Sequence, residues 1–261
     1  MSEKISMINL KGGVGKTVSS INIAYSFAEF GKKVLIVDTD SQGNIATSLG
    51  VNPDELNVTL FHLMEKAISG VVTKEEVQEC LLNLGDVDVL PSNSKLAEID
   101  YRLMNAYRRE FILNDIISVV EDMYDYIIID CPPSLSLIVT NALVASNHVL
   151  IPVEAHYLSF ESLKVMLGTI EMVRIKLNPD LKIAGVFLTM YQSRTKLSKG
   201  IKEQLCGIYG DDIKVFDKYI PYSIKAAEQT LLGKSLIELD KKHPVSKAYM
   251  SITKELMNNG E

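Results

Sequence analysis

Three short stretches of the sequence carry residues suited to holding a polyphosphate and a metal ion. Lys11-Gly12-Gly13-Val14-Gly15-Lys16-Thr17 combines glycines, which tolerate positive φ and lack a Cβ, with a lysine and a hydroxyl. Backbone N–H groups in such a turn point inward at phosphate oxygens, and a helix starting there adds its favourable dipole. In this pattern Lys16 reaches the β and γ phosphates, and the Thr17 hydroxyl is placed to bind Mg2+. The general phosphate-loop pattern has Gly where Leu10 stands, so the stretch is a variant with an additional lysine, Lys11, inside the loop. Asp130 closes a run of four apolar residues, the usual placing for a carboxylate that holds magnesium. Asp38 and Asp40 follow another apolar run. One can assist the metal while the other orients or deprotonates an attacking water. Capping the next helix is a second use for either, and does not exclude the first.

The elements that must position these groups are legible as a rhythm. Short apolar runs read as buried strands at Ile5–Leu10, Val34–Val37, Val87–Leu90, Tyr126–Ile129, Val149–Val153 and Ile183–Thr189. Between them lie segments with helical spacing, such as Val18, Ile21, Tyr25 and Ala28, closed by Gly31 as a C-cap. Ser92–Glu110 also reads as a helix with charged flanks. Strands alternating with helices predict an α/β fold, a mainly parallel twisted sheet with helices on both faces. Ligands of such sheets sit at the carboxyl ends of the strands, which is where the glycine loop, Asp38, Asp40 and Asp130 fall.

The chain has 261 residues, with 27 Lys+Arg against 33 Asp+Glu for a net charge of −6, and 47% of it is apolar. That suffices for one sizeable core and predicts a single domain over 1–261. No low-complexity run interrupts it. The opening MSEKISMINLKGG lacks an apolar core, and the most apolar stretch, Ile127–Val153, is broken by Asp130, Pro132, Pro133, Asn141, Asn147 and His148, so neither a signal peptide nor a membrane span is expected. Cys80, Cys131 and Cys206 stand far apart without a CxxC pair, which predicts a cytoplasmic chain without a disulfide framework. The net charge hides a gradient. Residues 51–130 hold 6 basic and 16 acidic residues, whereas 182–261 hold 13 basic and 9 acidic. The two segments suit different partners.

In combination, Lys11–Thr17 (KGGVGKT), Val37–Asn44 (VDTDSQGN), Ile129–Ser134 (IDCPPS) with Asn141-Ala142-Leu143, Ile151-Pro152-Val153, Gly185–Thr189 and Ser193-Arg194-Thr195 are specific. On these residues the sequence resembles the ParA family of partition ATPases, Soj-like members included. The family lies within the deviant Walker A group of P-loop NTPases that also holds MinD and the nitrogenase iron protein. The resemblance implies that Lys11 is the signature lysine that crosses an ATP-sandwich dimer to the partner's nucleotide, stabilising transition-state charge as an arginine finger does. It implies that Lys16 is the catalytic phosphate-loop lysine, Thr17 a magnesium ligand, Asp130 the Walker B carboxylate, Asp40 the catalytic aspartate that positions water, and Asp38 a support for the metal. Gly12, Gly13, Val14, Gly15 and Val18 complete the nucleotide loop, and Pro221 stands at the adenine. The sequence also departs from the family pattern. Val18 replaces a frequent threonine, Ser41 a frequent proline, and Ile220–Lys225 lacks the arginines usual in chromosomal members, with Lys225 in place of one.

Between Lys182 and Lys202 there are five basic residues and no acidic one. Lys196, Lys199 and Lys202 recur every three residues after Arg194, which on a helix makes a stripe for phosphates or simply a solvated face. The ParA-like position of Arg194 favours DNA, bound without sequence preference because lysines on a backbone carry no base code. The acidic segment suits the basic N-terminal peptide of a ParB-type centromere-binding protein, and equally suits a solubilising surface. A MinD-like membrane regulator is the alternative. Its anchor requires a basic amphipathic tail, and Val245, Tyr249, Ile252 and Leu256 instead predict a helix packed on the domain, with Lys247 and Lys254 offset by Glu255 and Glu261. Cys131 reads as a small buried residue rather than a cluster ligand. The expectation is a nucleoid-associated ATPase that uses ATP and Mg2+, dimerises on ATP, binds non-specific DNA and no membrane, and hydrolyses ATP when a ParB-type partner stimulates it.

Overall fold

Seven strands form one sheet in the order β3-β4-β2-β5-β1-β6-β7. In chain order they are β1 (Glu3–Met7), β2 (Val34–Asp38), β3 (Leu82–Asn83), β4 (Asp88–Leu90), β5 (Tyr126–Asp130), β6 (His148–Glu154) and β7 (Lys182–Thr189). The helices are α1 (Lys16–Glu29), α2 (Asn44–Ser48), α3 (Leu60–Ser69), α4 (Lys74–Cys80), α5 (Ile99–Leu103), α6 (Ile112–Ser118), α7 (Leu137–Ala145), α8 (Ser159–Lys176), α9 (Lys196–Tyr209), α10 (Ile224–Leu232), α11 (Leu236–Leu239) and α12 (Pro244–Asn258). The structure is a computed structural model and describes residues 2–156 and 159–258; Glu261 of the tail lies outside them.

All named strand pairs are parallel except β3 with β4. The pleat sends alternate side chains to opposite faces. Ile5, Met7, Val34, Ile36, Ile128 and Leu150 join Phe27 of α1 and Tyr249 of α12 on one side. Leu35, Val37, Ile127, Ile129, Val149 and Ile151 meet α3, α6, α7 and α8 on the other. Both faces are covered, as the near-continuous apolar runs require.

Helix α1 lies between the sheet and α12, and every residue from Ser19 to Phe27 is buried. Its small polar side chains find partners inside: Ser26 Oγ donates to Asn22 O at 2.7 Å, and Asn22 Nδ2 donates to Gln229 Oε1 at 2.9 Å. The helix ends as its sequence predicts, with Gly31 at φ 77° donating its N–H to Ala28 O at 2.8 Å. The tail helix packs as expected too, with Val245, Tyr249, Ile252 and Leu256 all buried. Among the described residues no helix is long and apolar enough to cross a membrane.

Two expectations are corrected, and one strand was not expected. Strand β1 begins and ends earlier than Ile5–Leu10: after Ile8, whose N–H still donates to Leu150 O at 3.2 Å, the chain leaves the ladder and Asn9 turns its side chain to Pro152 O. The two-residue edge strand β3 has too little apolar pattern to be read from sequence. Ser92–Glu110 is not one helix: a 3-10 turn over Ser94–Glu98 leads into α5, which stops at Leu103. Leu96, Ile99 and Leu103 supply the helical spacing and are buried. Beyond them the chain turns at Arg108, which has φ 51°, and the Arg109 carbonyl accepts from Asn141 Nδ2 at 2.8 Å.

Candidate nucleotide site and basic face

The carboxyl ends of β1, β2 and β5 converge on the start of α1. After Met7 the glycine loop reverses the chain, with Gly13 at φ 74° and Gly15 at φ 84°, conformations that L side chains rarely adopt. A Cβ added at Gly12, Gly13 or Gly15 would meet no atom within 4 Å beyond its chain neighbours, so the loop is not packed against the rest of the protein at these positions. It faces a cavity of about 780 Å3 lined by Gly12, Gly13, Gly15, Lys16, Thr17, Val18, Asp40 and Pro221 among others. Val14 does not line it: its side chain is fully buried, and its carbonyl accepts from Thr189 Oγ1 at 2.8 Å, leaving only its backbone for a ligand.

Lys16 is only 7% exposed, and its ammonium donates to Lys11 O at 3.3 Å. Burial lowers its pKa, against the opposing pull of Asp130, the Cys131 thiol and Asp40. Asp130 ends β5 fully buried and accepts from Thr17 Oγ1 at 2.8 Å and Ser20 Oγ at 2.7 Å. Its carboxyl is pushed up to about 6 by burial, partly offset by those two hydroxyls and the Lys16 ammonium. Asp38 is also fully buried. It accepts from the backbone N–H of Asp40 at 3.0 Å and of Ile45 at 3.2 Å, so it orders the turn into α2. Burial, then the Asp130 charge, hold its carboxyl well above the usual range.

Asp40 is half-buried and lines the cavity. One of its oxygens accepts from Gln42 N–H at 3.1 Å, and its carbonyl accepts from Ser92 Oγ at 2.7 Å, which fixes the loop that presents it. The donor set of Thr17, Asp130 and Asp38 is all oxygen, suited to a hard divalent cation. Adjacent buried carboxylates served by a single lysine also call for further positive charge. Among the described residues no group of three or more His, Cys, Asp or Glu side chains could hold a metal ion alone.

Sequence reasoning missed Ser20, which is buried behind the cavity and, one turn past Thr17, has the helical spacing that would have pointed to Asp130. It also missed residues of the wall. Tyr222 and Tyr249 line the cavity from distant segments and carry no motif. Met190, also in the wall, has φ 51°, a strained conformation of the kind that concentrates at functional sites.

The basic residues divide. Thr195 caps α9, its hydroxyl accepting from Ser198 N–H at 3.2 Å. Ser198, Ile201 and Leu205 face inward, and Arg194, Lys196 and Lys199 are exposed. Lys202 is instead half-buried and donates to Asp217 O at 3.2 Å, because the three-residue spacing drifts round the helix toward the core. Lys225 sits on α10 with Nζ 3.7 Å from Asp240. Its segment meets that of Arg194 through the bridge of Tyr191 with Pro221, where Tyr222 N–H donates to Tyr191 O at 3.1 Å. Lys11 lies apart from the cavity, paired with Glu154. Cys131 is buried, as read.

A family model described as AAA domain matches residues 2–183. The sporulation initiation inhibitor protein Soj of Bacillus subtilis is 36% identical over 262 residues, covering 100% of both chains. The chromosome partitioning protein ParA of Myxococcus xanthus is 36% identical over 255 residues, covering 97% of this chain and 87% of its own. Among solved structures, cobyrinic acid a,c-diamide synthase from Mycobacterium smegmatis with bound ADP and magnesium superposes with TM-score 0.86 at 29% identity, covering 100% of this chain and 96% of its own. A putative plasmid partition protein from Borrelia burgdorferi bound to AMPPNP shares the fold, with TM-score 0.78 at 23% identity over 99% of this chain and 100% of its own. With a seven-stranded, mainly parallel sheet, a glycine loop ahead of α1 and two such full-length relatives, this chain belongs to the ParA/Soj family of partition ATPases.

Proposed function

We propose that the chain binds ATP with Mg2+, dimerises on it, holds DNA without sequence preference as the dimer, and lets go after hydrolysis stimulated by the basic N-terminal peptide of a ParB-type partner. The observation that carries the nucleotide part is the Thr17–Asp130 contact of 2.8 Å at the foot of an open glycine cradle. The loop N–H groups and Lys16 hold the phosphates, and Thr17, Asp130 and Asp38 hold the cation. When bound, the cation neutralises charge on the phosphate oxygens. Asp40, fixed through Gln42 and Ser92, orients the attacking water and takes up its proton. Lys11 supplies charge to the second copy's nucleotide. That contact exists only while the γ-phosphate is attached, so hydrolysis opens the dimer. Arg194, Lys196 and Lys199 meet DNA phosphates, with Lys202 and Lys225 in secondary positions.

The test is sedimentation with ATP and Mg2+ against DNA and, separately, against anionic vesicles. ATP-dependent pelleting with DNA supports the reading. Pelleting with vesicles alone replaces it with a membrane-bound regulator. The full-length match at 29% identity to an amide-forming synthase favours one second reading, an ATP-dependent ligase, which phosphate release that depends on a small carboxylic acid and not on DNA would establish.

A further inference from the structure

Lys11 is held on its own chain by three contacts. Its N–H donates to Asn9 Oδ1 at 2.9 Å, its carbonyl accepts from Lys16 Nζ at 3.3 Å, and its ammonium pairs with Glu154 at the end of β6. Asn9 in turn donates to Pro152 O at 2.7 Å, two residues before Glu154 on the same strand. The root of Lys11 and the strand carrying its carboxylate partner are therefore one tied unit. Both side chains are about a quarter exposed, 28% for Lys11 and 27% for Glu154, so the pair is partly withdrawn from water. Lys11 does not line the nucleotide cavity of its own chain.

We propose that Glu154 is the positioning residue of Lys11: it parks the ammonium on its own chain until a second copy presents a more highly charged phosphate. The proposal rests on reading Lys11 as the residue that crosses between copies. Moving the ammonium exchanges one anionic partner for another and leaves a partly buried carboxylate without that cation. The exchange is favourable only when the incoming anion carries more charge than a carboxylate, as the terminal phosphate of a triphosphate does. Glu154 thereby sets a threshold that a diphosphate does not meet, and keeps the chains apart after hydrolysis.

The experiment compares the full chain with Glu154→Gln, which keeps shape but removes charge, and Glu154→Asp, which keeps charge. Dimer formation is followed by light scattering in an Asp40→Ala background, so that turnover does not empty the dimer. With ATP, Glu154→Gln is expected to dimerise at about two- to twenty-fivefold lower protein concentration, the range allowed when two partly exposed ion pairs open per dimer. It is also expected to form detectable dimer with ADP and, with Asp40 intact, to raise basal turnover. Binding of a fluorescent adenine nucleotide to the monomer stays as in the unaltered chain, which a merely structural role for Glu154 would not leave untouched. Glu154→Asp behaves as the unaltered chain, and Glu154→Ala, read in parallel, shifts in the same direction as the glutamine variant. An unchanged or raised dimerisation concentration in the glutamine and alanine variants overturns the proposal. Lys11→Ala separates the two levels: if it turns over normally, the reading of Lys11 falls and this proposal with it. If it is inactive while Glu154→Gln matches the unaltered chain, only the parking role falls.

Discussion

Asp38 and Asp130 are register partners: they are the last residues of the neighbouring parallel strands β2 and β5, side by side and both fully buried. Each sits where one strand's carboxyl end delivers a side chain to the same edge, so the sheet itself brings two like charges together. Backbone N–H groups and hydroxyls satisfy their hydrogen bonds, yet burial raises both carboxyls. The pairing stores an electrostatic cost that a bound cation relieves.

That cost has a sign. A carboxyl whose folded pKa lies above its ordinary value binds its proton more tightly when folded, so its contribution is most favourable below about pH 4 and is lost as pH rises toward about 6 for Asp130. In the nucleotide-free chain Asp130→Asn should flatten this part of the stability–pH profile and raise stability at pH 7 by up to about 3 kcal/mol. The same substitution should remove the stabilisation given by ATP with Mg2+. Thermal unfolding from pH 4 to 8, with and without the nucleotide, checks both, and an unaltered pH slope refutes the argument.

Lys16→Ala removes a buried ammonium that burial already disfavours, so the nucleotide-free chain should lose little or no stability. ATP affinity should fall roughly ten- to a hundredfold, the worth of a charge-assisted contact to phosphate, and ATP-dependent dimerisation should vanish. Nucleotide titration followed by calorimetry measures the first, and normal dimerisation would contradict the assignment.

Asp40→Ala should leave nucleotide binding intact and yield an ATP-bound dimer that does not turn over, since the side chain lines the cavity while its own loop is held through backbone contacts such as Ser92 to Asp40 O. Phosphate release measured beside dimer content checks this. Unchanged hydrolysis would remove Asp40 from its role.

Arg194→Ala and Lys199→Ala should each lower DNA retention and reduce the slope of log affinity against log salt by about 1, while ATP turnover survives. Lys202→Ala should have a smaller effect, because its ammonium is already engaged at Asp217. A salt series of DNA binding distinguishes the three, and equal losses would mean that the α9 lysines act as an undifferentiated field.

The nucleotide loop and the strand pattern are legible in chain order, though some element ends are not. A phosphate cradle is made by consecutive residues, so Gly13, Gly15, Lys16 and Thr17 are legible from chain order and side-chain type. Buried parallel strands read as apolar runs because both faces are covered, and Asp38 and Asp130 were recognisable as the polar residues that end such runs. Features made by distant segments meeting came from the packing of the whole chain. Strand order put Asp38 beside Asp130, and α12 brought Tyr249 under the cavity. The bond between Asn141 and the Arg109 carbonyl belongs to a turn that follows α5, where spacing alone predicted a longer helix. The end of β6 drew Lys11 onto Glu154, 143 residues away, a direction that loop composition does not contain. Side-chain direction and pairing are set by packing across the sheet, whereas the motif and the strand pattern are set by the backbone geometry of neighbours in sequence.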